Sequence, residues 1–384
     1  MNILHILGSL NIGGAENLVS NLMEIAAKRD SANRYSIVYM HHSDKERVEL
    51  FSKSTDTAFI ECKKGIKGTY KFINALRTYI KTKNIEIIHC HNNVDAYWAY
   101  LASLKTSVKK IILTVHGLNL NFKFLKNKFK IYPYADRFIC KKLSITYVSG
   151  VTSDYYKNTY NYKELEGDII YNGVAFKNPD AEDNSLTKEK WMQTGKPVFG
   201  MVGNFNTPVR LQIEICKALQ ILKNRYRGTL PFTFIFAGAQ NAQFPHLYNN
   251  CVTLCKEMDA LDKEIFFLGA RRDVPQILHS INGYVYCSSG DSFGLSVIEA
   301  IGANLPTICS NIATFKEILY NGKLGYLVNN TPEEIADAIQ MLYTNLTNKK
   351  EPLLDGVLNV APVIVKENYS LEKCLNCFEA KYRE

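Results

Sequence analysis

The residues with the most chemistry in them form one short run, Tyr284-Val285-Tyr286-Cys287-Ser288-Ser289-Gly290-Asp291-Ser292-Phe293-Gly294-Leu295-Ser296-Val297-Ile298-Glu299. An apolar strand gives way to a turn of small residues carrying Asp291, and a helix is expected from Gly294 or Leu295 onward. Such a start leaves the N–H groups of Gly294, Leu295 and Ser296 unpaired at the positive end of a helix dipole, which suits a diphosphate. Glu299, eight residues after Asp291, falls on the first turn or so of the helix, within reach of a ribose diol, while Asp291 can meet a sugar. With no ligand, the same acids read as a helix cap and a dipole-compensating side chain.

Other strand ends carry weaker patterns. Gly8-Ser9-Leu10-Asn11-Ile12-Gly13-Gly14-Ala15-Glu16 follows the first strand, and its paired glycines let backbone N–H groups approach a ligand. It is not G-x-G-x-x-G, and the second strand ends Val38-Tyr39-Met40-His41 without an acid, which disfavours a nicotinamide-dinucleotide enzyme. His116-Gly117 follows Ile111–Val115, so the imidazole is expected at the carboxyl edge of a sheet, where ligands bind, with a satisfied structural histidine as the alternative. His89 and His91 share one side of a strand and read as cleft lining, because two ligands do not make a zinc site. No metal or cofactor is expected. The second half has no D-x-D pair, and Cys374-x-x-Cys377 has no second pair with metal spacing.

The elements that must position these residues alternate in type. Apolar runs at Ile3–Leu7, Tyr35–Met40, Ile85–Cys90, Ile111–Val115, Ile145–Val148 and Asp168–Tyr171 are separated by helical patterns near Ala15–Lys28, Tyr70–Lys83, Asp95–Leu104 and Val151–Thr159. This is the cadence of a parallel, doubly wound sheet. It breaks at Asn172-Gly173 and the polar stretch 178–184, then restarts at Pro197–Gly203 and continues through Phe232–Ala237, Ile265–Leu268, Gly283–Cys287, Pro306–Ser310 and Gly325–Val328. A helix Pro332–Thr344 has Thr331 as its cap, and Asn348–Gly356 reads as a polar connector. In the closing segment Ser370–Lys381, the residues Leu371, Cys374, Leu375, Phe378 and Tyr382 recur at helical spacing and form an apolar face.

A chain of 384 residues, 46% of them hydrophobic, can bury two cores of ordinary size. No apolar run reaches the roughly 20 residues that span a bilayer, and the N-terminus lacks a signal-peptide pattern, so a cytoplasmic protein is expected. The ten cysteines are scattered, many within apolar runs (Cys90, Cys140, Cys216, Cys287, Cys309), and read as reduced core thiols. The net charge of +9 is uneven, since residues 1–173 hold 25 Lys and Arg against 15 Asp and Glu. Within that half, Asn121–Lys130 interleaves aromatic and aliphatic residues with Lys123, Lys126, Lys128 and Lys130. The stretch reads either as a solvated basic face or as a segment drawn to anionic lipid. Nucleic acid would feel the same field, but no base-reading motif accompanies it, so it is not an expected partner.

The Asp291–Glu299 run resembles the E-x7-E signature of retaining glycosyltransferases of family 4, which have the GT-B architecture of two Rossmann-like, doubly wound parallel-sheet α/β domains facing a cleft. Five further features match in order: Gly13-Gly14, Thr114-Val115-His116, Asn172-Gly173-Val174, Met201-Val202-Gly203 and Ala303-Asn304-Leu305-Pro306. The resemblance implies a first domain at 1–173 on the acceptor side, a linker at 174–196, a donor-binding domain at 197–356, and a segment 357–384 packing back on the first domain.

It implies a nucleoside-diphosphate sugar as donor, with uracil as base, and a saccharide or polyprenyl-linked acceptor, as in capsular polysaccharide biosynthesis. Glu299 goes to the ribose, and Phe293, Gly294, Leu295 and Ser296 to the donor's phosphate end. The loop Leu268-Gly269-Ala270-Arg271 goes to the base, and Gly13, Gly14 and His116 to the phosphate and sugar side. Gly203, Asn204 and Arg210 go to the diphosphate; His116, Asp291 and Arg210 carry the catalysis.

Four positions depart from the family pattern, one of them Ser292, which stands where the family has the glycine after the first acid. Asn204 stands where the family has Arg, Arg210 where it has Lys, and Asp291 replaces the first Glu, shortening its reach by roughly 1.3 Å. A sugar-nucleotide 2-epimerase of the same shape and a donor-binding pseudoenzyme are the alternatives.

Overall fold

The computed structural model describes residues 1–384 except 12, 30–31, 118–137, 161–164, 178–185 and 349–351; for 159–160, 348 and 352–359 only the backbone is described. The chain divides into two compact units, Met1–Gly173 with Tyr369–Glu384, and Val174–Asn368. The described residues of the stretch expected as a linker therefore group with the second unit, as does 360–368.

The first unit is a seven-stranded parallel sheet in the order β3-β2-β1-β4-β5-β6-β7. Its strands are β1 Asn2–Leu7, β2 Arg34–Tyr39, β3 Asp56–Phe59, β4 Ile87–Cys90, β5 Lys110–Val115, β6 Ser144–Tyr147 and β7 Gly167–Ile169. Central strands such as β1 and β4 are almost wholly buried, as expected of parallel strands covered on both faces. Helices α1 Gly14–Lys28, α2 Lys45–Ser54, α3 Ile66–Thr82, α4 Asn93–Ser103 and α5 Gly150–Tyr160 connect them. The pair α2 and β3 was not foreseen. Phe51 is the buried residue of α2, and β3 is a half-exposed edge, so neither carries an apolar period.

The second unit is a six-stranded parallel sheet in the order β10-β9-β8-β11-β12-β13. Its strands are β8 Val198–Val202, β9 Thr233–Ala237, β10 Ile265–Gly269, β11 Gly283–Tyr286, β12 Thr307–Ser310 and β13 Tyr326–Val328. The helices are α6 Gln212–Arg225, α7 Pro245–Glu257, α8 Val274–Ser280, α9 Leu295–Gly302, α10 Ala313–Ile318, α11 Pro332–Asn348 and α12 Pro352–Tyr369. Thr331 caps α11, its hydroxyl accepting from the N–H of Glu334. The described residues of the expected connector Asn348–Gly356 are helical instead: Pro352 and Gly356 suggest a loop, but proline suits a first helical position, and α12 starts there.

Both strand orders reverse once, at β1/β4 and at β8/β11, and such a switch point opens a crevice at the carboxyl edge. The closing helix α13, Leu371–Arg383, belongs to the first unit. The Ser370 hydroxyl accepts from the N–H of Lys373, and Leu371, Cys374, Leu375, Phe378 and Tyr382 are buried along one face. Glu379 accepts from the Tyr35 hydroxyl at 2.8 Å and from Asn33 at 3.1 Å, and Arg29 donates to Asn376 at 2.8 Å. All ten cysteines are free.

Candidate active site

Beside the β8/β11 switch point, the ends of β8, β9 and β10 are laced backbone to backbone. Gly203 N donates to Ala237 O and Gly238 N to Gly269 O, each at 2.8 Å. A Cβ on Gly238 would lie 2.1 Å from Gly203 O, so glycine there is what allows the turn after β8 to come so close.

That turn presents Asn204 and, after a short excursion, Arg210. The Asn204 side-chain oxygen accepts from Ala239 N at 2.8 Å, and its carbonyl accepts from Arg210 Nη1 at 3.0 Å. Arg210 Nη1 also donates to Asn206 Oδ1 at 2.8 Å, and Nε donates to the Tyr286 hydroxyl at 3.1 Å. Burial works against this cation but is outweighed by Tyr286 and Asp291, which hold its pKa above the ordinary value. Three bonds thus fix the guanidinium, while Nη2 has no partner among the described residues.

Tyr286 continues the chain by donating to Asp291 Oδ2 at 3.1 Å. Its phenol is kept protonated by burial and by that carboxylate. Asp291 Oδ1 accepts from Phe293 N at 3.1 Å, and the Thr314 hydroxyl donates to Asp291 O at 2.6 Å. Asp291 therefore does not cap α9; it closes a turn ahead of the cap, which is Gly294. Gly294 has φ 85°, in the left-handed region, and a Cβ there would sit 2.6 Å from the Phe315 ring. The N–H groups of Gly294, Leu295 and Ser296 have no partner among the described residues, since the first bonds to Gly294 O come from Val297 and Ile298. Phe293 does not join this site. Its ring is 1% exposed and its N–H is taken by Asp291, so it anchors the turn in the core.

Glu299 lies on the second turn of α9, which has no acid in its first turn, so the dipole-compensating reading does not hold. Burial pushes its carboxyl up to about 7. It borders a small recess with Phe176, Lys177, Pro275, Leu278 and His279. Arg271 is placed differently from expectation: its guanidinium is filled by Asp273, at 2.8 and 2.5 Å, and by Glu189 at 2.6 Å. In that loop Gly269 has φ 65°, and its carbonyl accepts from Gly238 N.

The first unit carries its own set at the edge near β1/β4. Gly13 precedes α1, and the Glu16 carboxylate folds back over it, 2.1 Å from where a Cβ would be. Asp95, in the first turn of α4, is 3% exposed with Oδ2 unpaired, and burial followed by the Glu16 charge raises its carboxyl to about 8. His116 accompanies His91, His91 Nδ1 lying 2.9 Å from His116 Nε2, and His91 Nε2 lies 3.0 Å from His5 Nδ1. His89 lines nothing: it is fully buried, with Nδ1 2.8 Å from the Tyr382 hydroxyl and Nε2 2.7 Å from Thr114 Oγ1.

Ring nitrogens of His5, His89 and His91 lie within 4.8 Å of one another. His89 could bind a metal there only by giving up one of its two hydrogen bonds. The lysines at 123, 126, 128 and 130 lie outside the described residues. Among the described residues no helix is long and apolar enough to cross a membrane.

Sequence reasoning missed Tyr286, His5 and Asp95. Only the pairing of His5 opposite His89 in β1 and β4 leaves a trace in the sequence, as two histidines within apolar strands. Tyr286 is one of two tyrosines spaced by two on β11, with nothing to mark its hydroxyl as the link.

The model of "Glycosyltransferase Family 4" matches residues 12–177, and that of "Glycosyl transferases group 1" matches 196–345. The chain is 24% identical, over 78% of its length and 75% of the relative, to N-acetyl-alpha-D-glucosaminyl L-malate synthase of Bacillus anthracis. It is 23% identical, over 67% of its length and 66% of the relative, to the UDP-Gal:alpha-D-GlcNAc-diphosphoundecaprenol alpha-1,3-galactosyltransferase of Escherichia coli. In structure it is similar to HepE of Anabaena, solved in complex with UDP and glucose, with a TM-score of 0.79 over 99% of both chains at 14% identity. Two parallel sheets with this strand order, the site at the second switch point and two family matches spanning most of the sequence lead to one conclusion: the chain belongs to the family 4, group 1 glycosyltransferases of GT-B fold.

Proposed function

We propose that this glycosyltransferase moves a hexose-type sugar from a UDP-sugar to a saccharide or polyprenyl-linked saccharide, with retention at the anomeric carbon. The setting is surface or capsular polysaccharide biosynthesis on the cytoplasmic face of the membrane. The observation that carries the reading is the bridge from Arg210 through Tyr286 to Asp291, three residues ahead of the open N–H groups of Gly294, Leu295 and Ser296. In this reading Arg210 Nη2 and those N–H groups receive the diphosphate and stabilise it as it leaves. Asp291, held by two hydrogen bonds, faces the sugar, and Glu299 accepts from the ribose diol. Asn204 supplies a hydrogen bond where a second cation would otherwise stand, so Arg210 bears more of the leaving charge. His116 meets a sugar hydroxyl or phosphate oxygen. The diphosphate charge is met by these groups without a metal.

The UDP reading draws support from the nucleotide bound in the HepE structure and from the donor in the galactosyltransferase's name. That name also supports a polyprenyl-linked acceptor.

A panel of UDP- and GDP-sugars, with a polyprenyl-diphosphate-linked saccharide as acceptor and nucleoside diphosphate release as the readout, tests the proposal. Turnover is expected with one UDP-sugar, unchanged by EDTA, and reduced by about 100-fold or more in Arg210→Ala. Unaltered turnover in both Arg210→Ala and Glu299→Ala overturns the site. Interconversion of the sugar nucleotide without an acceptor would make the protein an epimerase.

A further inference from the structure

Three imidazoles stand in single file from the interior of the first sheet to its carboxyl edge. His5 Nδ1 lies 3.0 Å from His91 Nε2, and His91 Nδ1 lies 2.9 Å from His116 Nε2. Burial lowers the pKa of all three, to about 3 for His5, to about 4 for His116 and well below the ordinary value for His91. Each ring is therefore neutral at pH 7, with one N–H and one lone pair.

In such a file the tautomers are not independent. If His5 donates from Nδ1, His91 must accept at Nε2 and donate from Nδ1, and His116 must accept at Nε2 and carry its proton on Nδ1. Reversing one link reverses both. The inner end decides between the two settings. His5 is 1% exposed and its Nε2 has no partner. A proton on that atom would be an orphan buried donor, which is the rarer defect in folded proteins; an orphan lone pair is tolerated more readily. The proton therefore sits on His5 Nδ1. At the outer end, His116 Nδ1 has no partner among the described residues.

We propose that His5 and His91 are positioning residues that set His116 in its Nδ1-protonated tautomer, so that His116 presents a hydrogen-bond donor, not a base, to a hydroxyl or phosphate oxygen of the substrate. The contact with substrate rests on the function proposed above; the tautomer does not.

The test replaces His91 by two side chains of one shape and opposite demand. In His91→Asn the amide nitrogen stands near the place of Nδ1 and donates to His116 Nε2, as the imidazole does. In His91→Asp only acceptors stand there, which forces the proton of His116 onto Nε2. Nitrogen NMR of the intact, ligand-free chain with labelled histidine, with His116 assigned by His116→Gln, reads the tautomer directly. The wild type and His91→Asn are expected to show His116 protonated at Nδ1, and His91→Asp at Nε2. A wild-type His116 protonated at Nε2 overturns the proposal, whatever the variants do.

UDP release from UDP-glucose, UDP-galactose and UDP-N-acetylglucosamine is measured on the same proteins. The expected outcome is a loss of tenfold or more in kcat for His91→Asp and less than threefold for His91→Asn. Equal kcat in the two variants, with the tautomers as expected, overturns the contact between His116 and substrate but leaves the relay standing.

Discussion

The guanidinium of Arg210 and the carboxylate of Asp291 share a single hydroxyl, that of Tyr286, which accepts from Arg210 Nε and donates to Asp291 Oδ2 at 3.1 Å each. A cation on the turn after β8 and an anion on the turn after β11 are thereby fixed relative to one another by a side chain on β11.

Tyr286→Phe removes both bonds and leaves the ring. Unfolding in urea is expected to show a loss of about 1–3 kcal/mol, the scale for hydrogen bonds to charged groups. The larger effect falls on kcat, expected to drop by up to about 100-fold, because a charge displaced by about 1 Å is enough for that. A variant with the native melting temperature and native kcat would remove Tyr286 from the mechanism.

Glu299 makes donor binding depend on pH. Its folded-state value near 7 lies above the ordinary carboxyl value because of burial. The folded protein therefore holds a proton that the unfolded chain has lost between about 4.5 and 7, and stability falls as pH rises through that window, by at most about 3 kcal/mol. Accepting from a ribose diol favours the carboxylate, so UDP affinity is expected to rise with pH up to about 7 and then level off. Calorimetry in two buffers of different ionisation enthalpy should detect a proton released on binding at pH 6. Glu299→Gln should abolish that release, and a release that persists in this variant assigns it to another group.

Gly294→Ala tests the helix start. The left-handed φ costs a residue with a Cβ about 1–2 kcal/mol, and the new methyl would press on the Phe315 ring. Stability is expected to fall by about 2–3 kcal/mol, and UDP affinity about tenfold as the open N–H groups turn away. Tight UDP binding by a destabilised Gly294→Ala would place the diphosphate elsewhere.

The lysines at 123, 126, 128 and 130 are expected to bring the protein to vesicles containing anionic phosphatidylglycerol. At about 1 kcal/mol for each lysine near such a surface, replacing all four by glutamine should weaken flotation about 1,000-fold and leave binding to neutral vesicles unchanged. Equal flotation of the wild type and the quadruple variant would dispose of the membrane role.

The sequence by itself determined the strand-and-helix cadence, both switch-point turns and the placement of Asp291, Gly294 and Glu299 around one helix start. These features are local, set by apolar period, glycine and the chain order of strand, turn and helix. It did not reveal α2 with β3, or α12, because an amphipathic pattern is faint where little is buried and because Pro352 reads equally as a stop or a start. Tertiary structure alone decided what each polar side chain does. Arg271 looked free to meet a base until Asp273, two residues on, took Nε and Nη2 and Glu189, far away in sequence, took Nη1. Phe293 looked like a ligand contact until the core claimed its ring. Tyr286 and His5 looked like strand residues until a neighbouring turn and a neighbouring strand gave their polar atoms partners. Bonds such as Arg210 to Tyr286 and His5 to His91 join residues 76 and 86 positions apart across the sheet, and no local pattern encodes them.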